Sequence, residues 1–218
     1  MTKKLVIFGG GGFAREVSWL VADINRSLPR EDAWNVVGFV EYSNKRVGQL
    51  LNGVPVISLE NDDLDFSDTY VIIAIGATDI REQAVNQAKG FGFKFATLIH
   101  PAVRMDESTI QIGEGSIICA GNILTVNITI GNHVIINLDC TIGHDCIVED
   151  LVTISPGCHL SGYTTVRRGA YLGTGAVTIE KHQIGARSVV GAGAVVVKDI
   201  PPNVTAVGIP AKPIKSES

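Results

Sequence analysis

Charged residues and long apolar runs are scarce in this sequence of 218 residues. Only 18% of the residues are charged and the formal net charge is −4, which argues against the basic surface that nucleic-acid-binding proteins carry. The longest nearly apolar stretch, Ser188–Val197, is too short to span a membrane. The apolar run Leu5–Phe8 is too short for the core of a signal peptide. We therefore expect a soluble cytoplasmic protein with neither nucleic acid nor a membrane as its partner.

Cysteine is also sparse, and no Cys-x-x-Cys pair occurs. The four residues are Cys119, Cys140, Cys146 and Cys158. Their number and spacing match neither a structural zinc site nor a disulfide framework in a chain of this size. We expect buried free thiols and no bound metal.

Aromatic residues almost disappear after residue 100, where only Tyr163 and Tyr171 occur. A core without Phe or Trp must be thin and regular, which predicts a structural repeat. The chain therefore divides into a first domain at 1–101, a repeat domain at 102–200 and a C-terminal tail at 201–218.

The repeat has a period of six residues. Its aliphatic positions are Ile112, Ile118, Leu124, Ile130, Ile136, Ile142, Val148, Ile154, Leu160, Val166, Leu172, Ile184, Val190 and Val196. The one exception is Thr178, which Ile179 follows. Each six residues supply a short strand and a bend, and three sixes close a triangular coil, so that residues 18 apart stack. Cys140, Cys146 and Cys158 occupy the small inward position two residues before an aliphatic one.

The first hundred residues alternate strands with helices, as in a Rossmann-like unit. The predicted strands are Leu5–Phe8, Val36–Val40, Val71–Ile75 and Phe93–Ile99, and the predicted helices are Ala14–Ile24 and Ile80–Lys89. Four glycines, Gly9–Gly12, join the first strand to the first helix. Their backbone N–H groups and the N-terminus of that helix suit a phosphate group.

The glycine run is a loose match to a dinucleotide fingerprint, Gly9-x-Gly11-x-x-Ala14. The acidic residue that this fingerprint needs, here Glu41, comes about ten residues late. A nucleotide diphosphate, NAD and a turn without a ligand therefore all remain open for this loop.

Among the five histidines, His144 is the candidate for a general base. It follows Gly143 at a bend, where it should project from the prism, and Asp145 beside it can orient the imidazole. Asn137 lies seven residues earlier on the neighbouring face and is a candidate hydrogen-bond partner. The stacking rule places Gly162 one coil from residue 144, where its backbone N–H can stabilise an oxyanion. A His-Asp pair at a corner is also compatible with a solvated turn.

The six-residue register and the tail Val207-Gly-Ile-Pro-Ala-Lys-Pro213 resemble the hexapeptide-repeat acyltransferases. The whole chain also resembles a narrower family, the bacterial N-acetyltransferases that act on nucleotide-linked amino sugars such as those of the bacillosamine and perosamine pathways. The sialate O-acetyltransferases are close relatives of that family. The residues that carry this resemblance are Phe8-Gly-Gly-Gly-Gly12, Gly38-Phe-Val-Glu41, Ile73-Ala-Ile-Gly76, Leu98-Ile-His-Pro101 and Ile142-Gly-His-Asp145.

The resemblance implies an α/β Rossmann-like domain followed by an all-β left-handed parallel β-helix. It implies direct transfer of acetyl from acetyl-CoA to a sugar amine. In this transfer His144 is the base and Asp145 is the acidic residue beside it. Asn137 is a hydrogen-bond partner of the base, and Gly162 is the oxyanion donor. It further implies a homotrimer that holds acetyl-CoA between neighbours.

The resemblance also assigns binding residues. Those for the nucleotide part of the sugar substrate are Gly11, Gly12, Phe13, Glu41 and Gly76, and Tyr42 stands where the family often has a second acidic residue. Those for acetyl-CoA are Thr153, Gly162, Thr174 and Ala192, with the C-terminal tail nearby. The family often carries a second histidine at the position of Thr153. Tyr42 leaves the identity of the nucleotide base open, and it can stack on that base.

Four functions stay open from the sequence. The first is N-acetylation of a nucleotide-linked 4-amino sugar, and the second is O-acetylation of a sialic acid or another sugar hydroxyl. The third is a zinc hydrase with three histidines between subunits, although the gaps from His133 to His144 to His159 do not approach 18 residues. The fourth is a scaffold or an NAD-binding sensor. We expect His133 and His159 in surface turns, and structural roles for His100 and His182.

Overall fold

The computed structural model of the chain describes residues 2–41, 44–60 and 65–216. It contains two compact units, Met1–Pro101 and Ala102–Ser218. Within the described ranges, no helix is long and apolar enough to cross a membrane.

Unit 1 is a parallel sheet with two helices. Its strands are β1 (Lys3–Phe8), β2 (Trp34–Val40), β3 (Leu50–Leu51), β4 (Val54–Ile57), β5 (Thr69–Ile73), β6 (Lys94–Phe95) and β7 (Leu98–Ile99), and its helices are α1 (Gly12–Ser27) and α2 (Thr78–Phe91). Two short 3-10 turns cover Asn44–Arg46 and Phe66–Asp68. The sheet order is β3-β4-β2-β1-β5-β6, and only the pair β3–β4 is antiparallel. The predicted Rossmann-like order of strand, glycine turn, helix and strand is confirmed.

The core of this unit follows from its apolar pattern. Strand β1 is buried from Leu5 to Phe8 because it lies between β2 and β5. Helix α1 presents one apolar stripe to the sheet, formed by Ala14, Val17, Leu20, Val21 and Ile24. The predicted last strand, Phe93–Ile99, is instead two short strands, β6 and β7. Strand β4 was not predicted; its sequence, Val54–Ile57, includes a proline, which weakens a strand signal.

Unit 2 is a parallel β-helix of very short strands. They are β8 (Arg104–Met105), β9 (Gln111–Ile112), β10 (Ile117–Ile118), β11 (Ile123–Leu124), β12 (Thr129–Ile130), β13 (Ile135–Ile136), β14 (Thr141–Ile142), β15 (Ile147–Val148), β16 (Thr153–Ile154), β17 (His159–Leu160), β18 (Thr165–Val166), β19 (Tyr171–Leu172), β20 (Val177–Thr178), β21 (Gln183–Ile184), β22 (Val189–Val190), β23 (Val195–Val196), β24 (Val204–Val207) and β25 (Lys212–Ser216).

These strands form three faces, and from β9 to β20 each strand pairs with the one 18 residues later. The first face contains β10, β13, β16, β19, β22, β24 and β25, the second contains β8, β11, β14, β17, β20 and β23, and the third contains β9, β12, β15, β18 and β21. The chain after residue 200 extends the first face, because β24 pairs with β22 and β25 returns antiparallel to β24.

The corners share one backbone conformation. A residue with positive φ recurs every six positions from Gly115 to Gly193. Glycine supplies some of these corners and Asn or Asp supplies others, as expected for the left-handed region. Tyr163 adopts it with φ of 58°, although a bulky side chain rarely does. This corner geometry explains why the chain turns after each short strand.

The predicted aliphatic lattice is confirmed, since Ile118 and every later aliphatic member is buried. Thr178 also points inward, with 1% of its surface exposed, whereas Ile179 is 43% exposed. The repeat register therefore decides which of these two side chains enters the core, even though the other one is more apolar.

The four cysteines are buried and free, which confirms the prediction of core thiols. The prediction for His133 is wrong in part: this residue does occupy a turn, but it is only 5% exposed. His159 lies in strand β17 rather than in a turn, and its Nδ1 is 2.9 Å from Thr141 Oγ1. The ring of His133 lies against Gly115, one coil earlier, and the side chain 18 residues before His159 pairs with it.

Candidate active site

His144 lies at the corner between the second and third faces of unit 2, after β14 and before β15. About half of its side chain is exposed, and its Nδ1 is 2.8 Å from Asp145 Oδ2. An N–H at Nδ1 donates to this carboxylate, which leaves a lone pair on Nε2. In the neutral imidazole, this hydrogen bond therefore leaves Nε2 as the nitrogen that can accept a proton.

A residue that the sequence analysis missed supports this pair. The Nδ2 atom of Asn127 is 3.4 Å from Asp145 Oδ1, and the Asp145 backbone N–H donates to Val126 O at 3.1 Å. Asn127 lies 18 residues before Asp145, so the stacking rule applied to Asp145 would have found it. These contacts hold the carboxylate that orients the imidazole.

Gly162 lies directly against the imidazole of His144. A β-carbon built on Gly162 would be 2.5 Å from His144 Cε1 and 2.6 Å from Nε2, so no other residue type fits there without moving the ring. Within residues 2–41, 44–60 and 65–216, the Gly162 backbone N–H has no hydrogen-bond acceptor. An unused donor thus lies beside the nitrogen that can accept a proton.

Tyr163 is a second residue that the sequence analysis did not select for the site. Its ring centroid is 5.1 Å from that of His144, with the ring planes at 87°. Half of the residue is exposed, and Lys181 Nζ lies 5.9 Å from the ring centroid. The ring closes one side of the corner that carries His144.

The other predicted residues of unit 2 lie elsewhere on the prism. Asn137, Thr174 and Ala192 occupy the corner between the first and second faces, and Thr153 is a buried residue of β16 on the first face. Asn137 Oδ1 accepts the Leu138 backbone N–H at 2.8 Å. Asn137 and His144 therefore do not contact each other within one chain. Every six residues carry the chain along one face and around one corner, so these two residues, seven apart, lie at successive corners of the prism.

The predicted nucleotide residues of unit 1 surround one cavity of about 910 Å³. Its lining includes Gly11, Gly12, Phe13, Glu41 and Gly76. Tyr42 lies outside the described residues. A β-carbon built on Gly11 or Gly12 would meet nothing within 4 Å, so both glycines face open space at the start of α1.

Glu41 is engaged by Arg46, which the sequence analysis missed. Arg46 Nε donates to Glu41 Oε2 at 2.9 Å, Arg46 Nη2 donates to Oε1, and Nη2 also donates to Gly10 O at 3.0 Å. The hydrogen bonds to Glu41 raise the pKa of Arg46. Arg46 and Lys45 bring positive charge to the rim of the cavity.

A buried cation holds the loop that ends β5. Arg81 of α2 is fully buried, and its Nη1 donates to the backbone oxygens of Ile75 at 2.8 Å and Gly76 at 3.1 Å. Burial lowers the pKa of Arg81 to about 10, so this side chain is charged at neutral pH. It fixes the position of Gly76 at the cavity.

The described part of the chain contains no group of three or more His, Cys, Asp and Glu side chains arranged to hold a metal ion.

Comparisons with known proteins identify relatives of both units. Residues 4–88 match the family model of the PglD N-terminal domain. Over 45 residues the chain is 58% identical to a protein of Schizosaccharomyces pombe named as an acetyltransferase. That match spans 22% of the length of the curated relative.

Several solved structures match nearly the whole chain, among them the following three. A mutant perosamine N-acetyltransferase from Caulobacter crescentus, in complex with CoA and GDP-perosamine, has a TM-score of 0.84 and 30% identity, covering 98% of this chain and 97% of that one. The acetyltransferase domain of PglB from Neisseria gonorrhoeae, with acetyl coenzyme A, has a TM-score of 0.86 and 33% identity, covering 98% and 100%. WeeI from Acinetobacter baumannii has a TM-score of 0.84 and 34% identity, covering 96% and 99%.

These relatives share both the fold and more than a quarter of the sequence over the full length of the chain. These matches confirm the predicted fold, a Rossmann-like domain followed in sequence by a left-handed β-helix. The chain belongs to the hexapeptide-repeat sugar acetyltransferases, the family of the perosamine N-acetyltransferase and of the PglB acetyltransferase domain.

Proposed function

We propose that this chain is an acetyl-CoA-dependent N-acetyltransferase that acetylates the amino group of a nucleotide-linked 4-amino-deoxy sugar. The observation that carries the proposal is the unused Gly162 N–H beside the imidazole of His144. Acetyl transfer to an amine needs one proton acceptor and one donor for the developing oxyanion, within reach of the same reacting carbon. The relative that contains CoA and GDP-perosamine supports the two substrate classes.

His144 acts as the general base. Its Nδ1–H is held by Asp145, so Nε2 is the nitrogen that takes a proton from the sugar amine. The charge that the imidazole then gains is stabilised by the same carboxylate, which Asn127 contacts in turn. General base catalysis of this kind is worth about 10²–10⁴ in rate.

Acetyl-CoA supplies the acetyl group as a thioester. In direct transfer, a bond forms between the sugar nitrogen and the acetyl carbon while the carbon–sulfur bond breaks. His144 returns the amine proton to the departing sulfur, so that protons and electrons balance. The Gly162 N–H donates to the acetyl oxygen while negative charge develops there, and one such donor is worth about 10²–10³.

The cavity of unit 1 binds the nucleotide part of the sugar substrate. Gly11 is the N-cap residue of α1 and Gly12 begins the helix. The first-turn N–H groups suit a diphosphate, and no side chain caps them. Lys45 and Arg46 add positive charge at the same cavity. Glu41 is a hydrogen-bond acceptor for a base or ribose, and a substrate that uses it has to share the carboxylate with Arg46.

We infer that the active site is completed by a second copy of the chain. His144, Asp145 and Gly162 share one corner of the prism, whereas Asn137, Thr174 and Ala192 share another. Copies that meet corner to corner around a threefold axis bring both sets together, and such head-to-tail contacts close into a ring. The proposal is a homotrimer with acetyl-CoA between neighbours, along Thr153, Thr174 and Ala192 and near residues 201–218.

A thiol-release assay with acetyl-CoA tests this function against a panel of UDP-, dTDP- and GDP-linked 4-amino sugars. We expect release with at least one member, an N-acetylated product by mass spectrometry, and loss of release in His144→Ala. Release with only hydroxyl acceptors, such as a sialic acid, would replace the proposal by O-acetylation. No release with any acceptor would sink both forms of acetyl transfer.

A further inference from the structure

A buried polar cluster lies behind Gly162, on the inner side of the same corner. We define it as Cys146, Thr164 and Thr178, of which none is more than 1% exposed. Thr178 is the single break in the aliphatic lattice, and it stacks between Leu160 and Val196. Burying the Thr178 hydroxyl removes its hydrogen bonds to water, which is unfavourable unless partners inside the protein replace them.

The cluster binds both ends of Ser161. Thr164 Oγ1 donates to Ser161 O at 2.7 Å, and Cys146 Sγ donates to the same oxygen at 3.2 Å. Thr178 Oγ1 accepts the Ser161 backbone N–H at 3.2 Å and lies 3.0 Å from Thr164 Oγ1. Because the Thr164 proton goes to Ser161 O, the Thr178 proton goes to Thr164 Oγ1, and both hydroxyl protons are used.

These bonds fix the direction of the Gly162 N–H. The Ser161 carbonyl and the Gly162 N–H belong to one peptide plane, and in a trans peptide they point in opposite directions. Since Thr164 and Cys146 draw the carbonyl into the prism, the N–H points out of it, toward the side where His144 lies. Hydrogen bonds to a carbonyl also polarise its peptide and strengthen the N–H as a donor, by about 10–30% per bond.

Another corner shows the same inner contact without a free amide. Ser116 Oγ is buried and donates to Gly131 O at 2.9 Å. The amide that follows this carbonyl, of Asn132, already donates to Asp150 Oδ1 at 2.7 Å. A buried hydroxyl under a corner carbonyl is therefore compatible with a purely structural role, and this corner supplies the matched control.

We propose that Thr164 and Thr178 are positioning residues for acetyl transfer, because they orient and polarise the Ser161–Gly162 peptide as the donor to the thioester oxygen. The inference rests on the proposed function. It explains why a threonine stands at position 178 while Ile179, the more apolar residue, is left outside.

The test compares Thr164→Val and Thr178→Val with Thr164→Ser and Thr178→Ser, and uses Ser116→Ala as the control. Val keeps the branched shape and fits the aliphatic lattice, so Thr178→Val should fold even if Thr164→Val does not. We expect each Val variant to lower kcat about 10-fold or more, with KM for both substrates within about 2-fold. Each Ser variant should recover most of the wild-type kcat.

Thermal stability separates positioning from a structural role. Ser116→Ala loses a buried hydroxyl of the same kind, so its Tm should fall about as far as that of the Val variants, at unchanged kcat. An unchanged kcat in folded Thr178→Val would overturn the inference, and so would an equal loss of kcat in Ser116→Ala. If the wild type is active and His144→Ala is inactive, either result leaves the proposed function intact. An inactive wild type would instead contradict the proposed function itself.

Discussion

The imidazole of His144 and the Cα of Gly162 are so close that a side chain on Gly162 would overlap the ring. A methyl group there would sit 2.6 Å from Nε2 and has to displace the imidazole. We expect Gly162→Ala to lower kcat by about 10² or more, because it moves the base and its neighbouring donor together.

Circular dichroism and steady-state kinetics on Gly162→Ala check this expectation. Gly90→Ala is the control, because a β-carbon at Gly90 in α2 meets nothing within 4 Å. That control should be as stable as the wild type or more so, since alanine favours a helix over glycine. Full activity in Gly162→Ala would show that the ring does not need its present position.

Asp145 holds the imidazole through a charged hydrogen bond, so its charge should matter more than its shape. Asn also tolerates the left-handed backbone that Asp145 adopts at φ of 58°. Asp145→Asn should lower kcat about 10- to 10³-fold at a similar Tm. Asp150→Asn removes a carboxylate from another corner and should keep wild-type kcat; equal kinetics for the two variants would contradict the role of Asp145.

Gly11 opens onto the cavity of unit 1 and has φ of −78°, which any residue can adopt. Gly11→Val should therefore fold normally and fill part of the nucleotide site. We expect KM for the nucleotide sugar to rise about 10-fold or more, while KM for acetyl-CoA stays unchanged. A thermal shift with the free nucleotide should be lost in this variant. An unchanged KM would place the nucleotide elsewhere.

Mixed oligomers test whether two copies share one site. His144→Ala inactivates one corner, and Ala192→Trp should block the other, because Ala192 is exposed there. Coexpressed at equal amounts, the two variants should regain roughly one quarter of wild-type activity, since random assortment leaves that share of sites with both corners intact. A mixture as inactive as its components would place the whole site within one chain.

Asp199 makes the stability of the last coil depend on pH. The Gln183 backbone N–H at 3.0 Å and then His182 Nδ1, also at 3.0 Å, lower the pKa of this carboxyl. Its stabilising effect is complete above the unfolded pKa and is lost as the pH falls through the folded pKa. Asp199→Asn should thus lower Tm at neutral pH and match the wild type in strong acid. A difference in Tm that persists in acid would contradict this linkage.

The repeat could be predicted from the sequence because each aliphatic residue obeys a local rule, one inward position every six residues. The same rule placed Gly162 beside His144, one coil apart. The rule could equally have located Asn127, which is one coil from Asp145. Arg46 and Arg81 carry no such signal, since their partners follow from loop geometry and from the packing of α2 in unit 1.

The expected contact between Asn137 and His144 does not form within one chain, for a physical reason. Residues seven apart lie at successive corners of the prism, and these corners point in different directions. This direction follows from the closed prism and not from the spacing. The sequence by itself determined the periodicity, the inward set of side chains and the His144–Asp145 neighbours, because these depend on short spacings along the chain. The tertiary structure alone decided that Ser161 is held from inside and that the Gly162 amide is left unused, since both depend on hydrogen bonds between neighbouring coils, from residues 14 to 17 positions apart in the sequence.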